Sequence, residues 1–235
     1  ENENKSYNLN NMYIGTIHDF CYNILKNYAI GYENVKILDG AKNYLFVKRY
    51  EKECGIVDLG LSTYIRDIHL FLECREKLID DYENRSNWEE KNIKAIDNYI
   101  ECLRKNNYLD FPLLIFEVLR QIKSNPKVRE YLSSIKYLIV DEYQDTNYVQ
   151  HQIISQLTTP ESCISVVGDD AQSIYGFRGA RIENILGFTQ QYPSAKVIKL
   201  ECNYRSTGTI VGAANAIIAH NQHQIPKNIY SNQGQ

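Results

Sequence analysis

The sequence predicts an α/β protein built on a mostly parallel sheet and interrupted by an all-helical insertion. Three observations predict it. Residues 137–140 (Tyr-Leu-Ile-Val) and 163–167 (Cys-Ile-Ser-Val-Val) are short, β-rich apolar runs, the pattern of strands buried on both faces. The first ends in Asp141-Glu142 and the second in Gly168-Asp169, at the strand end where open parallel sheets bind ligands. Between a strand-like segment at residues 12–16 and these runs lie roughly one hundred residues of helical periodicity, too many for a single crossover.

Composition narrows the class. At 235 residues with 43% hydrophobic and 23% charged side chains, the chain can bury one large core or two small ones. A net charge of −3 predicts no general attraction to nucleic acid, although a local basic groove is compatible with it. Six scattered cysteines without a CxxC pair read as free thiols in a reducing compartment, so a cytoplasmic location is expected. No apolar run is long enough to span a membrane, and no signal peptide is visible.

Taken in order, residues 1–11 are polar and Asn-rich and read as a frayed end. After the segment at 12–16, Ile17, Phe20, Cys21, Ile24 and Leu25 share one helical face. Asp39 or Gly40 opens a second helix that closes near Gly55. A third runs from Leu61 past Ile65, Ile68 and Leu72 to Leu78. A fourth runs from Trp88 through Ile93, Ile96, Ile100 and Leu103. A fifth covers residues 113–122, with Pro112 at its tolerated first turn. Lysines and arginines in this region alternate with acidic residues and read as solvated helix faces. Beyond 137–140, Thr146 is the expected N-cap of a helix through Val149, Ile153, Ile154 and Leu157. A further strand is expected at 195–200, and Thr207 as the cap of a helix through Ile210, Val211, Ala214 and Ile217. The polar tail from Asn221 reads as a truncated boundary.

The chemistry sits at strand ends. Of two adjacent carboxylates there, Asp141 can hold Mg²⁺ and Glu142 can orient or deprotonate a water. A solvated acidic strand end explains the bare pair equally well. Gln172 offers an amide that donates and accepts at once. Tyr175, Phe177 and Arg178 follow it, a group that can stack on bases or simply fill a core.

Three segments carry a family resemblance. Asp141 to Asn147 (DEYQDTN), Gly168 to Ala180 (GDDAQSIYGFRGA) and Leu200 to Ser206 (LECNYRS) resemble, in order and spacing, the DExQD, GDxxQSIYxFRGA and LxxNYRS boxes of superfamily 1 DNA helicases of the UvrD/Rep/PcrA type. The resemblance implies a partial RecA-like P-loop NTPase domain at residues 1–31 and 132–235, with residues 32–131 as a helical insertion subdomain. It implies ATP and Mg²⁺ as ligands of the full-length protein. Asp141 would hold the metal and Glu142 would touch it through water and act as base. Gln172 and Arg205 would reach the γ-phosphate, and Gln144 would contact nucleotide and couple it to DNA. It places single-stranded DNA, and single/double-strand junctions, against Thr16, His18, Tyr175, Phe177 and Arg178. Read alone, Thr16 serves as an N-cap and His18 as a surface histidine, and an NYRS turn serves as a helix start.

The segment LDFPLLI resembles the family's LDFxDLL, except that Leu113 or Leu114 replaces its acidic residue. No GxxxxGK[ST] occurs; Gly55 to Gly60 has the spacing, but Leu61 stands where lysine is needed. The chain is therefore expected to be an internal fragment of a longer motor, partnered by a second RecA-like domain of the same parent. Alone it should fold without ATPase activity. A helicase–nuclease subunit or a noncatalytic DNA-binding module lacking the P-loop would carry the same boxes.

Overall fold

The computed structural model describes residues 12–55, 60–75, 78–84 and 90–233. The expectations placed on residues 1–11 and on Trp88 lie outside them. The chain divides into two compact units, Glu1–Leu132 and Ser133–Gln235.

In the first unit, α1 (Ile17–Tyr28) starts where Thr16 Oγ1 accepts from Asp19 N at 3.1 Å. Its Cys21, Ile24 and Leu25 are buried on α6 (Phe111–Ser124). That helix is apolar nearly all round, with Leu113, Leu114, Ile115, Phe116 and Val118 buried, so it forms the centre of the unit. Asp110 Oδ1 caps it by accepting from Leu113 N at 2.9 Å, and Pro112 sits in its first turn. α3 (Leu61–Glu73) and α4 (Leu78–Glu83) pack on it, and α2 (Gly40–Arg49, capped by Asp39) packs on α3; α5 (Glu90–Lys105) and α7 (Pro126–Ser133) are further helices of this region. The apolar stripe of α3 is Tyr64, Ile68 and Leu72, four residues apart.

Two expectations fail here. Residues 12–16 form no strand, and the region 32–131 is not all-helical. It carries β1 (Lys36–Leu38) and β2 (Tyr108–Asp110), paired in parallel with Lys36 opposite Tyr108 and Leu38 opposite Asp110. Three residues are too few to print a period of two, and the adjoining helical stripes mask them.

A buried polar cluster ties these elements together. Asp110 Oδ2 accepts from Asn43 Nδ2 (3.2 Å) and Tyr99 Oη and lies 2.8 Å from His69 Nε2. Burial alone would lower the His69 pKa, but the Asp110 carboxylate outweighs it and holds the pKa above 6.5. Stabilisation from this pair is therefore complete below about pH 6.5 and is lost as pH rises through the elevated folded value. The first unit should melt at lower temperature as pH is raised from about 6 to 8. Asp110→Asn, which keeps a capping side chain, should flatten that slope; an unchanged slope would remove His69 from the explanation.

In the second unit, β3 (Tyr137–Val140) pairs in parallel with β4 (Cys163–Val166), Tyr137 opposite Cys163 and Val140 opposite Val166. Burial of β3 on both faces is not observed: Val140 is buried, but Tyr137 and Ile139 are 80% and 71% exposed. An apolar run shows that a strand can be covered twice, not that both covering layers lie within the same segment. α8 (Tyr148–Gln156) is capped by Asn147 rather than Thr146. The Asn147 side chain accepts from Gln150 N, and Gln150 Oε1 accepts from Asn147 N, a capping box that Thr146 cannot make in this register. Thr146 instead donates to Tyr143 O at 2.7 Å.

α9 (Ile182–Leu186) and α10 (Phe188–Gln191) follow. The strand expected at 195–200 is absent; Val197, Ile198 and Leu200 are exposed, and the segment has no ladder partner among the described residues. Pairing begins only at β5 (Cys202–Asn203), parallel to β6 (Tyr230–Ser231). Between them, α11 (Gly208–Ile218) has Thr207 at its N-cap, without a side-chain cap bond. The described strands thus form three separate two-stranded parallel sheets, not one continuous sheet. No helix among the described residues is long and apolar enough to cross a membrane.

Candidate nucleotide and nucleic-acid site

β3 delivers Asp141 and Glu142 exposed at its carboxyl end. Glu142 holds a left-handed backbone, φ 50° and ψ 42°, which costs a side-chain-bearing residue on the order of 1–2 kcal/mol. Local bonds compensate: Asp141 Oδ1 accepts from Glu142 N at 2.9 Å, and Glu142 Oε2 accepts from Gln144 Nε2 at 2.7 Å. Asp145, next along, has its pKa raised by burial and by the Glu142 charge.

Gln144 is the link between two of the sequence segments. It is buried, it donates to Glu142, and its Oε1 accepts from Asp169 N at 3.0 Å. Ser173 Oγ donates to its carbonyl at 3.3 Å. Asp169 in turn accepts from Gln172 Nε2 at 2.8 Å. One continuous hydrogen-bonded chain therefore runs Glu142, Gln144, Asp169, Gln172. Gly168 lies close against Gln144. A Cβ there would sit 2.4 Å from Gln144 Oε1 and 3.3 Å from Tyr143 N, so the missing side chain admits Gln144.

Six residues beyond Gln172, Arg178 bridges two aromatic rings. Its guanidinium lies 5.2 Å from the Tyr175 centroid and 5.3 Å from that of Phe177, within cation–π range. The 3₁₀ turn Gly176–Arg178 carries the group and ends at Gly179 with φ 85°. Neither ring is core: Phe177 is 77% and Tyr175 39% exposed.

Arg205 is exposed on the turn after β5, which Asn203 shapes by accepting from Arg205 N and Ser206 N at 2.9 and 2.8 Å. Thr16 and His18 belong to the first unit. There Thr16 caps α1, and the His18 ring packs edge-on against Phe111 at 5.0 Å, with its pKa lowered by burial.

The oxygen donors fit Mg²⁺, a hard cation that uses one or two carboxylates and completes its shell with water and substrate phosphates. Among the described residues no group of three or more His, Cys, Asp or Glu could hold a metal by itself.

A sequence model of the UvrD/REP helicase N-terminal domain matches residues 1–193. The chain belongs to the UvrD/REP helicase family. It is 36% identical over 239 residues to ATP-dependent DNA helicase PcrA of Leuconostoc citreum, covering 95% of this chain and 31% of that protein. With PcrA of Staphylococcus epidermidis it shares 34% over 232 residues, covering 94% of this chain and 31% of that protein. With ATP-dependent DNA helicase Rep of Buchnera aphidicola it shares 42% over 148 residues, covering 63% of this chain and 23% of that protein. The chain thus spans about a third or less of the length of these relatives.

Several contributors to this UvrD/REP site escape sequence reasoning. Asp169 is the junction of the hydrogen-bonded chain, Asn203 forms the Arg205 turn, and Asn184 Nδ2 donates to Thr146 O at 3.0 Å, tying α9 to the first box. Asn203 alone had a local signal, an Asx residue two positions before the arginine it shapes.

Proposed function

We propose that the full-length protein is an ATP-dependent DNA helicase, and that this chain supplies the later part of its first RecA-like motor domain with the inserted subdomain. Under this reading residues 1–31 and 132–235 are motor and residues 32–131 the insertion. The observation that carries it is the chain Glu142–Gln144–Asp169–Gln172, followed within six residues by the exposed Tyr175, Phe177 and Arg178.

Each residue then has a task. Asp141 would hold Mg²⁺, which supplies charge neutralisation at the β- and γ-phosphate oxygens when bound. Glu142, with Oε2 already fixed by Gln144, keeps Oε1 for a water proton. Gln172 has two amide hydrogens; Asp169 takes one and fixes the other toward a γ-phosphate oxygen. Arg205 would reach the same group from its own turn, a contact worth about 10³–10⁵ in rate where an arginine serves this role. Tyr175, Phe177 and Arg178 would stack on single-stranded DNA, with Thr16 and His18 as further contacts. Single/double-strand junctions and a second RecA-like domain are the partners this mechanism requires. A change at the phosphate is felt at the DNA because Gln172 and Phe177 share one short loop.

Phe177→Ala in the full-length protein should weaken binding to an oligothymidylate by about 1–3 kcal/mol and reduce the stimulation of ATP hydrolysis by DNA. Unchanged affinity together with unchanged stimulation would remove this loop from the DNA site.

A further inference from the structure

The tail beyond α11 carries a residue that no step above uses. Lys227 is largely buried, its side chain 17% exposed, and its Nζ pairs with Asp169 Oδ1 and, at 2.7 Å, with Asp170 Oδ1. Asp170 is itself only 3% exposed at the side chain, and its second oxygen accepts from Ile225 N at 3.0 Å. Residues 225–227 therefore close over the loop that begins at Gly168. The same Asp169 that meets Lys227 through Oδ1 accepts from Gln172 through Oδ2.

We propose that Lys227 is a positioning residue for Gln172: by neutralising and anchoring Asp169 it fixes the glutamine amide for its partner on the nucleotide. The proposal rests on the reading that Gln172 contacts the γ-phosphate. Two adjacent carboxylates, one of them buried, repel each other and are costly to desolvate unless a cation lies between them. With Lys227 present, burial still opposes ionisation of Asp169, but the ammonium and the Gln172 amide outweigh it and hold the pKa below its ordinary value. The Lys227 pKa is raised in return, the two carboxylates overcoming its own desolvation. Without the ammonium, Asp169 is driven to take up a proton or swing toward solvent. Either change removes the fixed acceptor that orients Gln172. The consequence falls on the orientation of a group that meets the reacting phosphate, not on the adenosine end of the nucleotide.

The test uses the full-length protein with saturating oligothymidylate, measuring kcat and KM for ATP in Lys227→Met, Lys227→Arg, Asp169→Asn and Gln172→Ala, alone and in pairs. Melting temperatures are followed alongside. Lys227→Met should lower kcat by about ten- to a hundred-fold with little change in KM, and Lys227→Arg should restore most of it. Lys227→Met should add nothing in a Gln172→Ala or Asp169→Asn background. Equal losses in the wild-type and Gln172→Ala backgrounds, or a fall in melting temperature with kcat preserved, would overturn the proposal. If Lys227→Met does not fold, Asp169→Asn reads the same link from the other side: kcat preserved there overturns it as well. Failure of the underlying reading looks different, because then Gln172→Ala itself leaves kcat unchanged.

Discussion

Glu142→Gln in the full-length protein should lower DNA-stimulated ATP turnover by about 10²–10⁴ while leaving ATP binding close to wild type. The substitution is nearly isosteric. A glutamine there can present its amide oxygen to Gln144 Nε2 as Glu142 Oε2 does now, so the left-handed turn at residue 142 and the link to Asp169 should persist. What is lost is the ability of the second oxygen to accept a proton from water. Phosphate release in single-turnover and steady-state assays checks this, with nucleotide affinity measured separately. Turnover within a few-fold of wild type would mean that another group activates the water.

The second large effect is one of stability. Glu117 is completely buried on α6. Its Oε1 accepts from Arg104 Nε at 2.8 Å and from the Nη2 of the same guanidinium, and its Oε2 accepts from Tyr32 Oη at 2.6 Å; Arg120 lies 3.4 Å away. Removing one partner of a buried ion pair typically costs about 3–5 kcal/mol, because the other charge is left without compensation. Arg104 keeps 36% of its side chain in solvent, which favours the lower end of that range. Glu117→Ala should therefore raise hydrogen exchange at α6 amides by on the order of a hundred-fold, the rate equivalent of about 3 kcal/mol. Glu117→Gln, which keeps an acceptor for Tyr32 and Arg104 but not the charge, should fall between. Exchange unchanged in both variants would show that this network contributes no net stability.

How much of this was legible in the sequence follows from the range of each interaction. The strand at 137–140 and the two carboxylates at its end are local, and the structure has both. So are the caps at Thr16, Asp39 and Asp110, each a short polar residue three positions before the backbone N–H it satisfies. The choice between Thr146 and Asn147 was also written locally, in the Gln150 that completes the capping box, but two capping residues in a row obscured it.

The rest depends on distant partners. Whether β3 is covered on one face or two is decided by what packs on it, and a four-residue apolar run is silent on that. Gly168 faces Gln144 across 24 positions, and Lys227 meets Asp169 across 58. No periodicity predicts either approach. The segment at 195–200 shows the converse, since β propensity without an available ladder partner yields exposed, irregular chain.

Under the proposed function, one hydrogen-bonded chain, Glu142–Gln144–Asp169–Gln172, would join a nucleotide site to the aromatic and arginine loop that would meet DNA. Phosphate release by the full-length protein, measured with ATP and Mg²⁺ in the presence and absence of oligothymidylate, tests it most directly when wild type is compared with Gln144→Ala. The expected result is Mg²⁺-dependent hydrolysis that DNA accelerates in wild type and accelerates far less in Gln144→Ala. Hydrolysis indifferent to DNA in the wild-type protein, or equal acceleration in both, would contradict it.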